Sequence, residues 1–362
     1  MSRPLQSLGS VRSRKFGNVS ILDPLADDRW EELVSRHPNS SIFHSIEWLR
    51  TLQMTYGYTP LVLTTSKNDQ ALSNGIVLCE VRSWATGSRL VSLPFSDYSD
   101  PLLNDPFELE VLLRALSELT QRGRFRYVEI RPLHVFGFPK THFQEEDAHY
   151  VHRLDLSPDL DELYQRFHKS CVRRKIRKAE RFGLHYEEGR SEELLAKFYK
   201  LLLRTRRRQQ VPPQSIEWFR NLASCLGERL KIRVVSSGGQ PVASIITCHF
   251  RDTVVYKYGC SDADFHNLGG PILLIWQAIQ DAKSVGANWF DFGRSHKKNK
   301  GLINFKDHWG GERSSLPYYR FSVGNVADRL SPWKRWLIRR TCAYMPDPLL
   351  GTLGTVLYRH AG

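Results

Sequence analysis

The six cysteines contain no CxxC pair, and the thirteen histidines contain no HxxxH or HExxH pair. The first absence removes zinc-ribbon and dithiol redox motifs, and the second removes the zincin arrangement. Cys79, Cys171, Cys225, Cys248, Cys260 and Cys342 are scattered through 362 residues, so they read as reduced thiols of a cytosolic protein with no expected metal. No apolar stretch approaches the roughly 20 residues of a spanning helix. The opening residues, MSRPLQSLGSVRSRKFGN, carry arginines but no apolar core. That excludes a secretory signal and leaves a flexible arm over 1–18. No general base stands out among the histidines.

Positive charge is present in excess. Fifty-two Lys and Arg against 38 Asp and Glu give a net +14, which favours an anionic partner: phosphate, nucleic acid, anionic lipid or an acidic polymer. The plainer alternative is a set of solvated lysines and arginines. With 41% hydrophobic and 25% charged residues the chain is globular, and its length suits two domains.

The chain repeats an order of elements. In the first half β-rich runs at Leu61–Thr65, Gly75–Val81 and Arg89–Leu93 precede a helix over Leu109–Arg122 and a strand over Tyr127–Ile130. In the second half Ile232–Val235, Val242–His249 and Thr253–Tyr258 precede a helix over Ile272–Ser284 and a strand over Trp289–Phe292. Helical segments introduce each half, at 30–36 and 46–55 and then at 161–182 and 192–210. The reading is a tandem duplication of one α/β unit, each a mixed sheet with helices on both faces. Domains are expected at 19–152 and 153–325, followed by a basic tail over 326–362.

Chemistry concentrates between Val254 and Gly311. A strand, a loop with Asn267 and the Gly269-Gly270-Pro271 break, a helix and a second strand can aim backbone N–H groups at an anion. FDFGRS puts Asp291 and Arg294 at a strand end, where open α/β sheets bind ligands. Asp291 could equally cap a turn. Lys306 stands between Phe305 and Trp309, either lying over the core or meeting an anionic transition state. Tyr256 and Tyr258 alternate on one strand face, lining a site or filling the core. HKSCVRRKIRKAERF has one apolar face, Val172, Ile176 and Ala179, and a crowd of cations that includes Arg173 and Arg177. Such crowding repels itself unless an anion binds. In the tail, 329–340 reads RLSPWKRWLIRR, which suits an anionic membrane surface or a helix docked on its own domain.

The repeated unit resembles a GNAT acyltransferase domain, and the chain resembles the FemAB-like branch, which carries two in tandem. The residues that carry the likeness are FHSIEWLRTL, RRKIRKAERFG, TRRRQQVPP, YKYGCS, LLIWQAIQDAKSVG, FDFGRS and GLINFKDHWGG, in the family's order. LVSLPFSDYSDPL and the ending LYRHAG resemble FemAB-related proteins of exopolysaccharide and exosortase systems. The resemblance implies acyl transfer to an amine of a cell-envelope or polysaccharide precursor, with acyl-CoA or aminoacyl-tRNA as donor. Arg173 and Lys306 would then meet substrate phosphate or the reacting carbonyl. Lys306 and Tyr256 are the expected catalytic residues. Arg173, Arg177, Tyr258, Asp291 and Arg294 are expected at the substrate, in a cleft at the domain junction, and Asn267, Gly269 and Gly270 at the donor. The partners implied are a phosphate-bearing substrate, tRNA and, through the tail, the inner face of a membrane. The chain departs from the family in having FHNLGGP where a coenzyme A pyrophosphate loop reads RxxGxG/A, and in lacking a coiled-coil arm. A coenzyme A-dependent acetyltransferase of a small amine or amino sugar, and a non-catalytic module for RNA or anionic glycan, are the alternatives.

Overall fold

Polar caps set where the helices start. The computed structural model describes residues 14–16, 18–83, 87–123, 125–134, 143–323, 340, 342 and 344–361. Met1–Asp147, Pro317–Ala327 and Arg359–Gly362 form one unit, and Ala148–Leu316 with Asp328–Tyr358 form the other. The boundary thus falls at 147/148, and the first unit reclaims a segment that the sequence reading gave to the second half.

The first unit begins with β1 (Arg14–Phe16), β2 (Val19–Leu22), α1 (Arg29–Arg36) and α2 (Ile46–Tyr56). The Ser45 hydroxyl accepts from Trp48 N–H to start α2, and Gly57, in the left-handed region, ends it. β3 (Thr59–Thr64), β4 (Ile76–Val81) and β5 (Arg89–Val91) follow as an antiparallel meander. α3 (Pro106–Arg122) starts on a capping box of Asp105 and Glu108 with Pro106 in the first turn. It crosses over to β6 (Tyr127–Ile130), which pairs with β5 in parallel. One sheet face packs on α3 through Leu112, Leu116, Leu78 and Val128. Trp30, Phe43 and Trp48 are buried in the same unit, with Trp30 Nε1 donating to His44 O at 3.0 Å.

The second unit begins in β7 (Gln144–Asp155), then α4 (Leu160–Arg166) and α5 (Arg174–Arg181). The single helix expected over 161–182 is broken. Phe167 is extended, His168 is non-helical, and a π-helical turn, Lys169–Arg173, leads into α5. The cause is tertiary. Phe167 is buried between Trp276 and Trp309, and His168 N–H donates to His308 O at 2.8 Å instead of to a helical carbonyl. Next come β8 (His185–Gly189), α6 (Glu192–Gln209), α7 (Ile216–Leu226), β9 (Leu230–Ser237), β10 (Gln240–Phe250), β11 (Thr253–Ser261), α8 (Gly270–Ser284), β12 (Trp289–His296) and α9 (Lys300–Asp307). The strands run β8-β9-β10-β11-β12-β7, antiparallel except for the β11–β12 pair that α8 connects. One face carries α5 and α8 over Val235, Ile245, Phe290 and Phe292. The other carries α6 and α7, where Trp218 and Phe219 meet Tyr258 and Phe198 packs on Phe219. β13 (Glu312–Ser322) and α10 (Asp347–Ala361) complete the chain.

The two units therefore repeat one topology: a meander, a helical crossover to a parallel strand, and an antiparallel strand beside that. In the first unit this last place is taken by β13, whose Tyr319–Ser322 pair with β6. There Arg320 and Arg131 both bond the buried Glu129. Burial opposes its ionisation, but the two guanidinium groups outweigh that and hold the carboxyl down at about 2. α10 seats on α6 through Leu350, Leu203 and Cys342, with Tyr358 Oη donating to Pro212 O at 3.1 Å. The tail segment 329–340 expected to face a membrane lies outside the described residues apart from Arg340. Among those residues no helix is long and apolar enough to cross a membrane.

Candidate active site

β11 and β12 pair over three positions only, Thr253↔Trp289 to Val255↔Asp291. Both strands then carry a bulge. On β11 the register against β10 slips between Tyr258 and Tyr256, so Lys257 is the additional residue. On β12 it slips between Asp291 and Arg294, with Gly293 at φ +68. The strands part just beyond the C-terminal end of the parallel pair, where open α/β sheets receive ligands.

Buried polar groups hold the β12 bulge. Asp291 is 0% exposed, and its Oδ1 accepts from Gly293 N–H at 2.6 Å. Lys306, 2% exposed, donates from Nζ to Gly293 O at 2.8 Å and to Arg294 O at 3.0 Å. Both residues brace the bend in β12 from inside, so the capping alternative describes Asp291. The Lys306 Nζ, expected to stabilise charge on a reacting carbonyl, here meets the carbonyls of β12.

The two tyrosines part company at the β11 bulge. Tyr258 turns to α7, where its hydroxyl accepts from Trp218 Nε1 at 2.9 Å. Tyr256 packs into the α5–α8 core, and its Oη lies 1.8 Å from where a Cβ on Gly259 would stand. Glycine at 259 is thus what leaves room for the phenol. Burial raises the Tyr256 hydroxyl well above its ordinary 10.0, so it is protonated at neutral pH and donates rather than abstracts a proton. The expectation that both rings share one face fails because the inserted Lys257 shifts the alternation.

The start of α8 is covered. Gly269 and Gly270 are buried, and a Cβ on Gly269 would stand 3.1 Å from Lys175 O of α5. Gly269 N–H donates to His266 O, while Ile272 and Leu273 donate back to Gly269 O. Asn267 and His266, exposed on the 3₁₀ turn before α8, are what a ligand would meet there.

Cations gather around that turn. α5 exposes Arg174, Lys175, Arg177, Lys178 and Arg181, and none of them has an ion pair among the described residues. Arg173, half-buried at the end of the π turn, bonds Gln165 and keeps its Nε buried without a partner. On the opposite side lies a cleft of about 620 Å³ lined by Arg204, Arg207 and Arg208 of α6 and by residues 262–265. Arg204 pairs with Asp262 and Arg207 with Asp347, whereas Arg208 meets no carboxylate among the described residues. Burial pushes the His266 imidazole below its ordinary 6.5, and the charges of Arg208 and Lys175 add to this. His266 therefore lies between the cations of α5 and those of α6.

One pair escaped the sequence reading. His152 of β7, 0% exposed and opposite the β12 bulge, hydrogen-bonds through Nε2 to Asp307 Oδ1 at 3.0 Å. Its Nδ1 is buried without a partner. A carboxylate on one ring nitrogen fixes the tautomer and leaves a lone pair on the other. The partners are half a chain apart, so no local spacing announces them.

Residues 166–307 match the family model for an acetyltransferase (GNAT) domain. Residues 166–307 therefore form a GNAT-type domain, and the chain as a whole has a fold similar to that of FemX. A crystal structure of FemX is similar with a TM-score of 0.66 at 14% identity, over 86% of this chain and 98% of that one. A tandem GNAT protein from the clavulanic acid biosynthesis pathway gives 0.52 at 11% identity, over 85% and 99%. The C-terminal domain of a putative lysylphosphatidylglycerol synthetase from Agrobacterium fabrum gives 0.55 at 14%, over 83% and 92%. No curated protein matches the chain in sequence. Within the GNAT domain fall both bulges, α5 and α8, while His152 lies just outside it.

The buried imidazoles make stability pH-dependent. Burial lowers His44, which bonds Asp100 O, and it lowers His152 as well. Below an ordinary imidazole value of 6.5 the unfolded chain takes up protons that the folded chain refuses, so unfolding is favoured. Their contribution is fully present above about 6.5 and is lost as pH falls from there to the folded values. Urea unfolding at pH 7.5 and pH 5.5 should give a lower midpoint at the acidic pH, and a His44→Gln variant should narrow the difference. An equal midpoint at both pH values would contradict the burial of these rings.

Proposed function

We propose that the protein is an N-acyltransferase whose donor or acceptor carries phosphate, with α5 and the turn before α8 as the phosphate-binding surface. The observation that carries this reading is the row of α5 cations without ion-pair partners, facing Arg208 across His266. Like charges so close repel one another until an anion neutralises them. The acyl group would lie where β11 and β12 part. Acyl-CoA and aminoacyl-tRNA both fit such a donor site, and the acceptor is an amine of an envelope or polysaccharide precursor.

The reaction is direct attack. The amine nitrogen forms a bond to the acyl carbonyl carbon, the thioester or ester bond breaks, and the amine loses a proton. His152, held by Asp307 with its Nδ1 lone pair available, is the proposed acceptor of that proton. Holding amine and carbonyl together would supply much of the rate.

Coenzyme A and bulk tRNA, added separately to the full chain, test the reading. One of them should raise the melting temperature, an effect that weakens with salt. The corresponding acyl donor should then be consumed in the presence of amine acceptors. His152→Gln should lower kcat and remove the acidic limb of the pH profile while leaving donor binding unchanged. If neither donor binds, the protein is not an acyltransferase of either kind and a non-catalytic role takes its place.

A further inference from the structure

Three potential metal ligands converge beside α5, although no motif in the sequence joins them. His168 precedes the π-helical turn, Cys171 lies within it, and His308 follows α9. Their ligand atoms all lie within 4.8 Å of one another, the one such group of three among the described residues. The fold fixes this spacing through the backbone. His168 N–H donates to His308 O at 2.8 Å, Cys171 N–H donates to His168 Nδ1 at 3.1 Å, and the two imidazole rings are 4.5 Å apart between centroids. His168 is exposed and the other two are half-buried, so an ion can enter from solvent.

We propose that His168, Cys171 and His308 bind a divalent transition metal, zinc(II) foremost, with one coordination position left open. Two imidazole nitrogens and a thiolate suit zinc and exclude magnesium and calcium, which take oxygen ligands. Zn–N of about 2.0 Å and Zn–S of about 2.3 Å place the ligand atoms of a tetrahedron roughly 3.5 Å apart. An ion therefore draws these side chains in by about 1 Å, which rotation of accessible side chains supplies. Binding expels the Cys171 thiol proton, and the thiolate it leaves offsets part of the metal's charge. Asp307 adds a favourable charge at His308, and Lys175 opposes it.

The His168 ring gives the site a consequence. Its Nδ1 accepts from Cys171 N–H, capping the π turn. An ion on Nδ1 takes that lone pair, and an ion on Nε2 forces the ring proton onto Nδ1. Either way the cap is lost on binding, and the turn it caps runs straight into the basic helix α5. The site does not depend on what the chain acylates.

Cobalt(II) is the probe. Full-length protein is stripped with chelator, dialysed and titrated with cobalt(II), and then with zinc(II) as competitor. A thiolate-to-cobalt charge-transfer band in the near ultraviolet should grow to saturation and vanish as zinc displaces cobalt. Cys171→Ser should abolish the band. His168→Ala and His308→Gln should each weaken binding by at least about 10-fold. Cys225→Ser, which alters the only other cysteine that is not buried, should leave the band intact. Unaltered protein gives a second readout, because zinc should protect one accessible thiol from a thiol reagent. Absence of the band, its survival in Cys171→Ser, or unchanged thiol reactivity with zinc would overturn the proposal.

Discussion

Replacing Lys306 by alanine is expected to cost roughly 3–5 kcal/mol of stability, a large share of a typical total of about 5–15 kcal/mol. Two β12 carbonyls lose a cationic donor, at about 1–3 kcal/mol each where they stay dry. The missing lysine stem leaves a cavity as well. Lys306→Met fills the cavity but not the hydrogen bonds, so it should recover only part of the loss. The readout is the urea midpoint of the three proteins. The competing outcome is a Lys306→Ala protein with unaltered midpoint and roughly 10²-fold lower turnover, the signature of a lysine that touches the reacting carbonyl. That result would mean the side chain leaves its carbonyls during turnover.

The second large effect should come with almost no change in stability. Arg174→Glu combined with Arg177→Glu breaks no ion pair among the described residues, and it relieves repulsion along α5. Unfolding should therefore shift by no more than about 0.5 kcal/mol. If these cations hold phosphate, two charged contacts at about 1.5–3 kcal/mol each are lost, and kcat/KM falls by at least about 10²-fold. The defect should shrink as salt rises, since salt weakens the unaltered enzyme more. Turnover within a factor of about two of the parent would remove α5 from substrate binding.

Much of this architecture is legible in the chain because local rules govern it. Caps, glycine stops and apolar periodicity mark α2, α3, α6 and α8, and the β-rich runs lie in β3–β6 and β9–β12. What the sequence hides is non-local. The break at Phe167 arises from two distant tryptophans and a carbonyl of His308. The inserted Lys257 reverses Tyr256 against Tyr258, and only the pairing with β10 reveals an insertion. The same holds for the site. The cations of α5 are visible as a charged helical face. The burial of Lys306 and the His152–Asp307 pair depend on which strand lies beside which. β7, β13 and α7 escape the sequence reading altogether. The exposed, polar beginnings of β7 and β13 carry little alternation, while α7 follows the Pro212-Pro213 break in a stretch without a strong repeat.

The strand that closes the first unit has a consequence for synthesis. β6 obtains its outer neighbour from Tyr319–Ser322, far downstream on the ribosome. Until those residues emerge, Val128, Glu129 and Ile130 form an uncovered edge, and Glu129 lacks Arg320. The intervening residues, Ala148–Leu316, can meanwhile assemble their own β7–β12 sheet. The amino-terminal unit, although translated first, therefore waits for a strand from the far end of the chain. A ribosome stalled shortly before residue 317 would hold an open first unit and a second unit still without Asp328–Tyr358. That half-built chain, with its bare strand edge, is the form a chaperone has most reason to hold.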